Sequence, residues 1–354
     1  MSVVLAVDAM GGDNAPGMIV DGVLLAHQKY PDVKYILFGD ETKIKPFFKG
    51  QLYDFIEIYH TTDFITADMK PSLALRQSKE SSMRLAIEAV KDGRAHAVVS
   101  SGNTGAYMAL SKIILKTLKG IDRPALISPV PTMNSYSVML DLGANIECST
   151  DNLSQFALMG QAYARYILKR DNPSIGLLNI GAEDLKGNEN IKLTHTLLKE
   201  AEWITNFHGF VEGDDILTGV VDVIVTDGFT GNIALKTAEG VFNIFKTYLA
   251  NEYKKSFSNK LRFGAFSPVL KTFKKKYDPR QYNGAPFLGL DGIAVKSHGG
   301  TDAFGFSAAL GVAVDLVDNQ VNDHIAEGLE KWQSYVAPPE EINDDEAVAW
   351  KVNS

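Results

Sequence analysis

Short β-branched runs alternate with stretches of helical spacing from the amino terminus to about residue 336, which restricts the chain to a largely parallel sheet with helices on its faces. The runs that predict strands are residues 3–7, 35–38, 55–59, 97–99, 126–129, 137–140, 176–179 and 221–225. Most are almost continuously apolar, as strands buried on both faces must be. Helical spacing is kept by Ile19, Val23, Ala26 and Tyr30 behind Pro16, and again over residues 83–90 and 156–168. The expected class is α/β, a three-layer α/β/α sandwich around one mostly parallel sheet. Residues 1–336 contain no low-complexity linker and are expected to form a single α/β unit of two lobes sharing that sheet. Residues 337–354 are too polar to pack and are expected to be a flexible acidic tail.

Five turns between these elements are rich in Gly, Asn, Thr, Asp or His: residues 8–14, 100–105, 179–188, 227–232 and 298–302. In an open parallel sheet such turns gather at the carboxyl edge, where helix N-termini aim free N–H groups into the crevice. One shared small-anion site is therefore expected. Gly102, Asn103, Thr104 and Gly105 are its expected cradle, with Gly11, Gly12 and Asp13 on the facing turn and Asn188, Asp227, Thr230 and Gly231 contributing further. Asp13 would repel an anion directly; Asp8 and Asp13 are read either as groups that orient donors or cap the helix at Pro16, or as catalytic. A short internal echo joins two of the turns: AVVSSGNTGA at 97–106 and VIVTDGFTGN at 223–232.

Composition narrows the function. The 354 residues carry a net charge of −8, which argues against nucleic acid as a partner. The single cysteine, Cys148, allows neither an internal disulfide nor a thiolate metal cage and fits a reducing compartment, so a cytoplasmic location is expected. The first nine residues read as a strand rather than a leader, and no apolar run approaches the roughly 20 residues of a bilayer span. There is no phosphate-binding G-x-x-x-x-G-K-[ST], no G-x-G-x-x-G after the first strand, no G-x-S-x-G, no H-E-x-x-H and no calcium loop. No metal site is expected.

Eight segments in order, VDAMGGDNAP (7–16), MRLAIEAVKDGRAHAVVSSGNTGA (83–106), GIDRPAL (120–126), LDLGAN (140–145), GLLNIGAEDLKGN (176–188), NFHGFVEGDDI (206–216), DGFTGNIALKTAEG (227–240) and GAPFLGLDGIAVKSHG (284–299), resemble the phosphate acyltransferases of phospholipid synthesis, the PlsX family. Asn14, His96, Ser101 and the pair Gly300-Thr301 depart from that pattern. The resemblance implies transfer of a fatty acyl group from acyl carrier protein to inorganic phosphate, giving acyl phosphate. It further implies a fold similar to the isocitrate and isopropylmalate dehydrogenases and phosphotransacetylases, a homodimer, and no cofactor.

Phosphate attacking a thioester needs an anion pocket and donors for the carbonyl oxygen, not a strong base. Lys186 and Asn232 each close a Gly-Asn-rich turn in matching segments and are the expected catalytic pair. His298 is expected to donate to the oxyanion or to protonate the departing thiolate, or to be a satisfied loop histidine. Cys148 has no neighbouring His or Lys in sequence and is read as structural.

Between residues 246 and 280 ten Lys or Arg face two acids, a local balance of +8 that leaves −16 for the remainder. Residues 235–280 also show amphipathic helical spacing, at 235–249 and 266–277. Lys254, Lys255, Lys260, Arg262, Lys271, Lys274 and Lys275 are expected to dock acyl carrier protein or an anionic membrane at its inner face, near the downstream glycerol-phosphate acyltransferase; packing in a dimer is the plainer reading. Two alternatives to acyl transfer to phosphate are a decarboxylating NAD-dependent dehydrogenase of related fold and a non-catalytic peripheral membrane scaffold.

Overall fold

The computed structural model describes residues 2–51, 53–133, 135–201 and 206–336, so the expected tail at 337–354 lies outside the described residues. In chain order the elements begin with β1 (Val4–Asp8), α1 (Gly17–Lys29), β2 (Lys34–Gly39), α2 (Glu41–Ile44), β3 (Ile56–His60), α3 (Pro71–Gln77), α4 (Ser82–Lys91), β4 (Ala97–Ser100) and α5 (Thr104–Leu115). They continue with β5 (Ala125–Pro131), β6 (Tyr136–Leu140), α6 (Thr150–Tyr166), β7 (Ile175–Leu178), α7 (Glu189–Glu200), β8 (Phe207–Val211) and β9 (Val223–Val225). The last part is helical except for one hairpin: α8 (Gly228–Lys255), α9 (Phe257–Lys276), β10 (Ala285–Leu288), β11 (Ile293–Lys296), α10 (Ala303–Asp318) and α11 (Val321–Val336).

All eight expected strands are present, with ends shifted by one or two residues. Three others, β8, β10 and β11, are additional. Each is short and interrupted: β8 reads FHGFV, β10 reads APFL, and β11 closes on Lys296. No apolar run of ordinary length marks them.

The strands form one sheet in the order β3-β2-β1-β4-β11-β10-β5-β6-β9-β7-β8. Pairing is parallel from β3 to β11. Three antiparallel pairings follow in succession, β11 with β10, β10 with β5 and β5 with β6, before parallel pairing resumes from β6 to β8. An odd number of reversals means that β6, β9, β7 and β8 run opposite to β1, β4 and β11. The sheet is mostly parallel within each half, but the halves present their carboxyl edges in opposite senses.

Alternation of side chains along the strands builds the layers. Val7, Val99, Val295, Leu140 and Val225 belong to one continuous core under α1, α10, α6 and α11. On the other face Ala6, Val98 and Ala294 pack beneath α4 and α5, while Met139, Leu178 and Ile224 belong to a separate, smaller cluster reached by Ala234 and Leu235 of α8. Beyond that point α8 leaves the sheet. Its 28 residues make it about 42 Å long at a rise of ~1.5 Å per residue. It packs against α9, with Val241, Ile244, Phe245 and Tyr248 exposed. The two amphipathic stretches expected from spacing fall within these two helices; the side chains of Arg262, Lys271, Lys274 and Lys275 lie outside the described residues.

Candidate active site

The adjacent parallel strands β1, β4 and β11 each end in a polar residue: Asp8, Ser100 and Lys296. Lys296 is in register with Ser100, and Val7 with Val99, so Asp8, Ser100 and Lys296 form a row on one face of the sheet. Beneath them the same face is apolar, with Ala6, Val98 and Ala294. Ser100 donates to Asp8 Oδ2 at 2.7 Å, and Ser82, at the start of α4, donates to Oδ1 at 2.7 Å. The Met10 N–H adds a third donor at 3.3 Å. Burial pushes the Asp8 carboxyl above the usual carboxylate range, opposed by the two serine hydroxyls.

The turns that follow these strands pack against one another. Ser101 Oγ donates to the Gly11 carbonyl at 2.7 Å, and the Asp13 N–H donates to the Gly299 carbonyl at 3.0 Å. Gly12 lies at φ +103°, and a Cβ there would come within 2.7 Å of Ser101 Oγ. Only glycine satisfies both the left-handed backbone and the close approach. A Cβ on Gly11 would lie 2.5 Å from Asp8 Oδ2 and 2.7 Å from the Gly102 nitrogen.

Asn103 holds the fold with its whole side chain. Its Oδ1 accepts from the Ala106 N–H as the N-cap of α5, and its Nδ2 donates to the carbonyls of Ala67 and Met69 at 2.9 and 2.8 Å, tying down the loop before α3. The Thr104 and Gly105 amides, in the first turn of α5, have no intrahelical acceptor. On the third turn His298 is exposed, and its Nδ1 accepts from the Gly300 N–H at 3.1 Å. A neutral imidazole accepting at Nδ1 carries its proton on Nε2. Asp302 caps α10 through Gly305 and pairs with Arg280 Nη1 at 2.7 Å.

The turns at 179–188 and 227–232 belong to the other half, where they meet the turn after β6. Asp141 there is fully buried. Its Oδ1 accepts from Leu126, Gly143 and Ala144 N–H groups and its Oδ2 from the Asn145 main chain and side chain, at 2.6–3.1 Å. Burial raises the Asp141 carboxyl, and these donors oppose that rise. Asp227 caps α8, accepting from Thr230 N–H at 2.8 Å and Thr230 Oγ1 at 2.9 Å, and Gly231 sits directly against the Asp141 carbonyl. Asn188 caps α7 through Ile191 at 3.0 Å. Lys186 and Asn232 are exposed, the latter beside Gly143. A cavity of about 560 Å³ opens among these turns, lined by Ile146, Cys148, Asn188, Asp227, Phe229 and Thr230. On the turn at 179–188, Ile180 and Leu185 are 80% and 87% exposed. Burial, with Asp141 and Asp227 nearby, pushes the Cys148 thiol up to about 12, so it is not a thiolate at neutral pH.

The expectation of one carboxyl edge shared by five turns is thus corrected. The structure brings together the turns at 8–14, 100–105 and 298–302, and separately those at 179–188 and 227–232. The three antiparallel pairings between β11 and β6 are the reason. Sequence reasoning also passed over Lys296 and Asp141. Lys296 is marked only by closing the apolar run IAV at the entrance to a Gly-rich turn, and β11 was not expected as a strand.

The fold is of the phosphotransacetylase kind. It is similar to a phosphotransacetylase from Streptococcus pyogenes, with a TM-score of 0.61 at 16% identity over 91% of this chain and 94% of that one. It is also similar to a branched-chain phosphotransacylase from Enterococcus faecalis, with a TM-score of 0.56 at 12% identity over 89% of this chain and 99% of the other. The particular family is fixed by sequence. The sequence model described as "Fatty acid synthesis protein" matches residues 3–324. Relatives named phosphate acyltransferase include those of Rhodospirillum rubrum, 51% identical over 94% of this chain and 96% of the relative, and Paramagnetospirillum magneticum, 48% identical over 96% and 98%. The chain belongs to this family and is an acyltransferase.

Proposed function

We propose that the chain transfers a fatty acyl group from the thioester of acyl carrier protein to inorganic phosphate, which attacks the carbonyl directly. The observation that carries the reading is the convergence of three glycine-bearing turns, with their first-turn amides, at the ends of β1, β4 and β11. Such amides favour a small anion, and phosphate is the acceptor named in the relatives. The raised thiol of Cys148 supports attack without an acyl-enzyme. In this reading His298 Nε2–H donates to the carbonyl oxygen or to the leaving sulfur.

Lys186 and Asn232 stay in the proposal as the residues that meet the acyl donor. They leave the sheet in the opposite sense to the phosphate turns, whereas reacting atoms must approach within about 3–3.5 Å. We therefore place them in one site with the phosphate turns across the interface of a homodimer. The exposed Ile180, Leu185, Phe229 and Ile233 around them form the kind of apolar surface that a protein partner covers.

The hairpin of α8 and α9 carries Lys254, Lys255 and Lys260 away from the sheet, where they would steer the acidic carrier protein. Peripheral contact with an anionic bilayer is a second reading, favoured by exposed Ile244 and Phe245 on the helix whose last turn holds Lys254 and Lys255. Among the described residues no helix is long and apolar enough to cross a membrane.

The test is incubation of the chain with acyl carrier protein thioester and phosphate. Acyl phosphate and free carrier thiol should appear in equal amounts and only when phosphate is present; thioester consumption without acyl phosphate would refute the reading.

A further inference from the structure

We propose that Lys296 is a phosphate-binding residue, whose ammonium lies at the floor of the crevice formed by the turns at 8–14, 100–105 and 298–302 and holds the nucleophile there. The proposal deepens the reading above and rests on it. Its basis is an unusual placement. Lys296 closes a column of small apolar side chains and is only 8% exposed, so its charge has lost most of its water. Lysine so buried in a structural role is ordinarily ion-paired. Lys296 is not: among the described residues it makes one hydrogen bond, from Nζ to the carbonyl of Ser297, and no ion pair. Asp8 and Asp13 act on it electrostatically from beyond ion-pair distance, and Asp8 takes its hydrogen bonds from Ser82, Ser100 and Met10 instead. Among the described residues two ammonium protons are left without a protein acceptor.

The surroundings suit a small oxyanion better than another carboxylate. The Thr104 and Gly105 amides begin α5 on the turn that follows Ser100, and Gly11 and Gly12 let the main chain of the first turn lie directly against Gly102 and Ser101. Burial lowers the ammonium to about 8, opposed by Asp8 and Asp13, so the charge is held at neutral pH without a touching counter-ion. An oxyanion in the crevice supplies one. In the transfer itself Lys296 keeps its proton. A phosphate oxygen bonds to the carbonyl carbon, the carbon–sulfur bond breaks, and its electron pair leaves on the carrier sulfur.

The experiment is calorimetric titration of the full chain with inorganic phosphate, without acyl donor, for the parent, Lys296→Met and Lys296→Arg. Lys296→Met should bind phosphate at least about tenfold more weakly, as loss of one charge-assisted contact implies, and Lys296→Arg should recover part of the loss. Parental affinity in Lys296→Met, or no phosphate binding by the parent, would overturn the proposal. Should Lys296→Met fail to fold, amine acetylation of the parent read by mass spectrometry decides. Phosphate should shield Lys296 several-fold while leaving the exposed Lys254 unchanged; equal labelling with and without phosphate overturns the proposal. Neither measurement requires turnover. A parent that binds phosphate through Lys296 yet forms no acyl phosphate would sink the proposed function and leave this inference standing.

Discussion

In the first half of the sheet β1 lies beside β4, and a buried carboxylate, Asp8, gathers donors at the end of the pair; in the second half β6 lies beside β9, and Asp141 does the same. The sequence echo at 97–106 and 223–232 belongs to this correspondence, since each copy is a strand, a glycine turn and a capped helix. The caps differ. Asn103 caps α5, whereas in the second copy Asp227, which aligns with Ser101, caps α8 and starts the helix two positions earlier. The first half therefore keeps Ser101 and Gly102 as open turn, and β11 brings a third strand end with a buried ammonium. The second half fills the equivalent space with helix, and its cavity is lined by Asp227, Glu147 and Glu189. In the proposed reading, a single adjacent strand sets the same local device for an anion or against one.

If the comparison is right, damage to either half should affect turnover by different routes. Gly12→Val should have the largest effect, a loss of about 100-fold or more in activity, because the side chain enters the approach between Ser101 and Gly299; activity near the parent's would show that the three turns do not form the phosphate site. Lys186→Met should lower turnover by about 100-fold with an unchanged melting curve. Mixing these two inactive variants should restore up to about a quarter of parental activity if one site draws on both copies of the chain. No recovery after verified subunit exchange would place the chemistry within one half.

His298→Gln should cost about 10- to 100-fold in turnover, as loss of a proton donor does; parental turnover would make His298 a loop residue. Lys296 gives a smaller, signed effect on stability. Its folded pKa, about 8, lies below the ordinary 10.5, so between those values the unfolded chain binds more protons and stability rises with pH. The rise should be no more than about 3 kcal/mol and absent in Lys296→Met, with chemical denaturation at pH 8 and pH 10 as the check. Cys148→Ala should change turnover least, by less than about twofold, since a half-buried, protonated thiol serves packing rather than attack; loss of activity with the fold intact would restore an acyl-enzyme to the mechanism.

Much of this was legible in the residues. Continuous apolar runs such as 3–7 and 97–99 marked buried parallel strands, because burial on both faces leaves no room for alternation. The eight family segments identified the chemistry, and the glycines of the first turn were readable as a close approach. Lys296 was not, since a lone lysine after Ile-Ala-Val reads as a strand end in water until β4 is paired beside it and α5 is packed on the strand. Asp141 likewise carries no mark in the sequence, since the five donors around it are brought there by the folded chain.

The sequence by itself determined the alternating α/β class, the family and which turns were rich in glycine, all of which depend on local pattern along the chain. The tertiary structure alone decided strand direction. Antiparallel pairing of β10 with β5 is a matter of which distant segments hydrogen-bond, and no short-range pattern encodes it. That pairing divides five similar turns into two groups and sets a buried lysine in one of them.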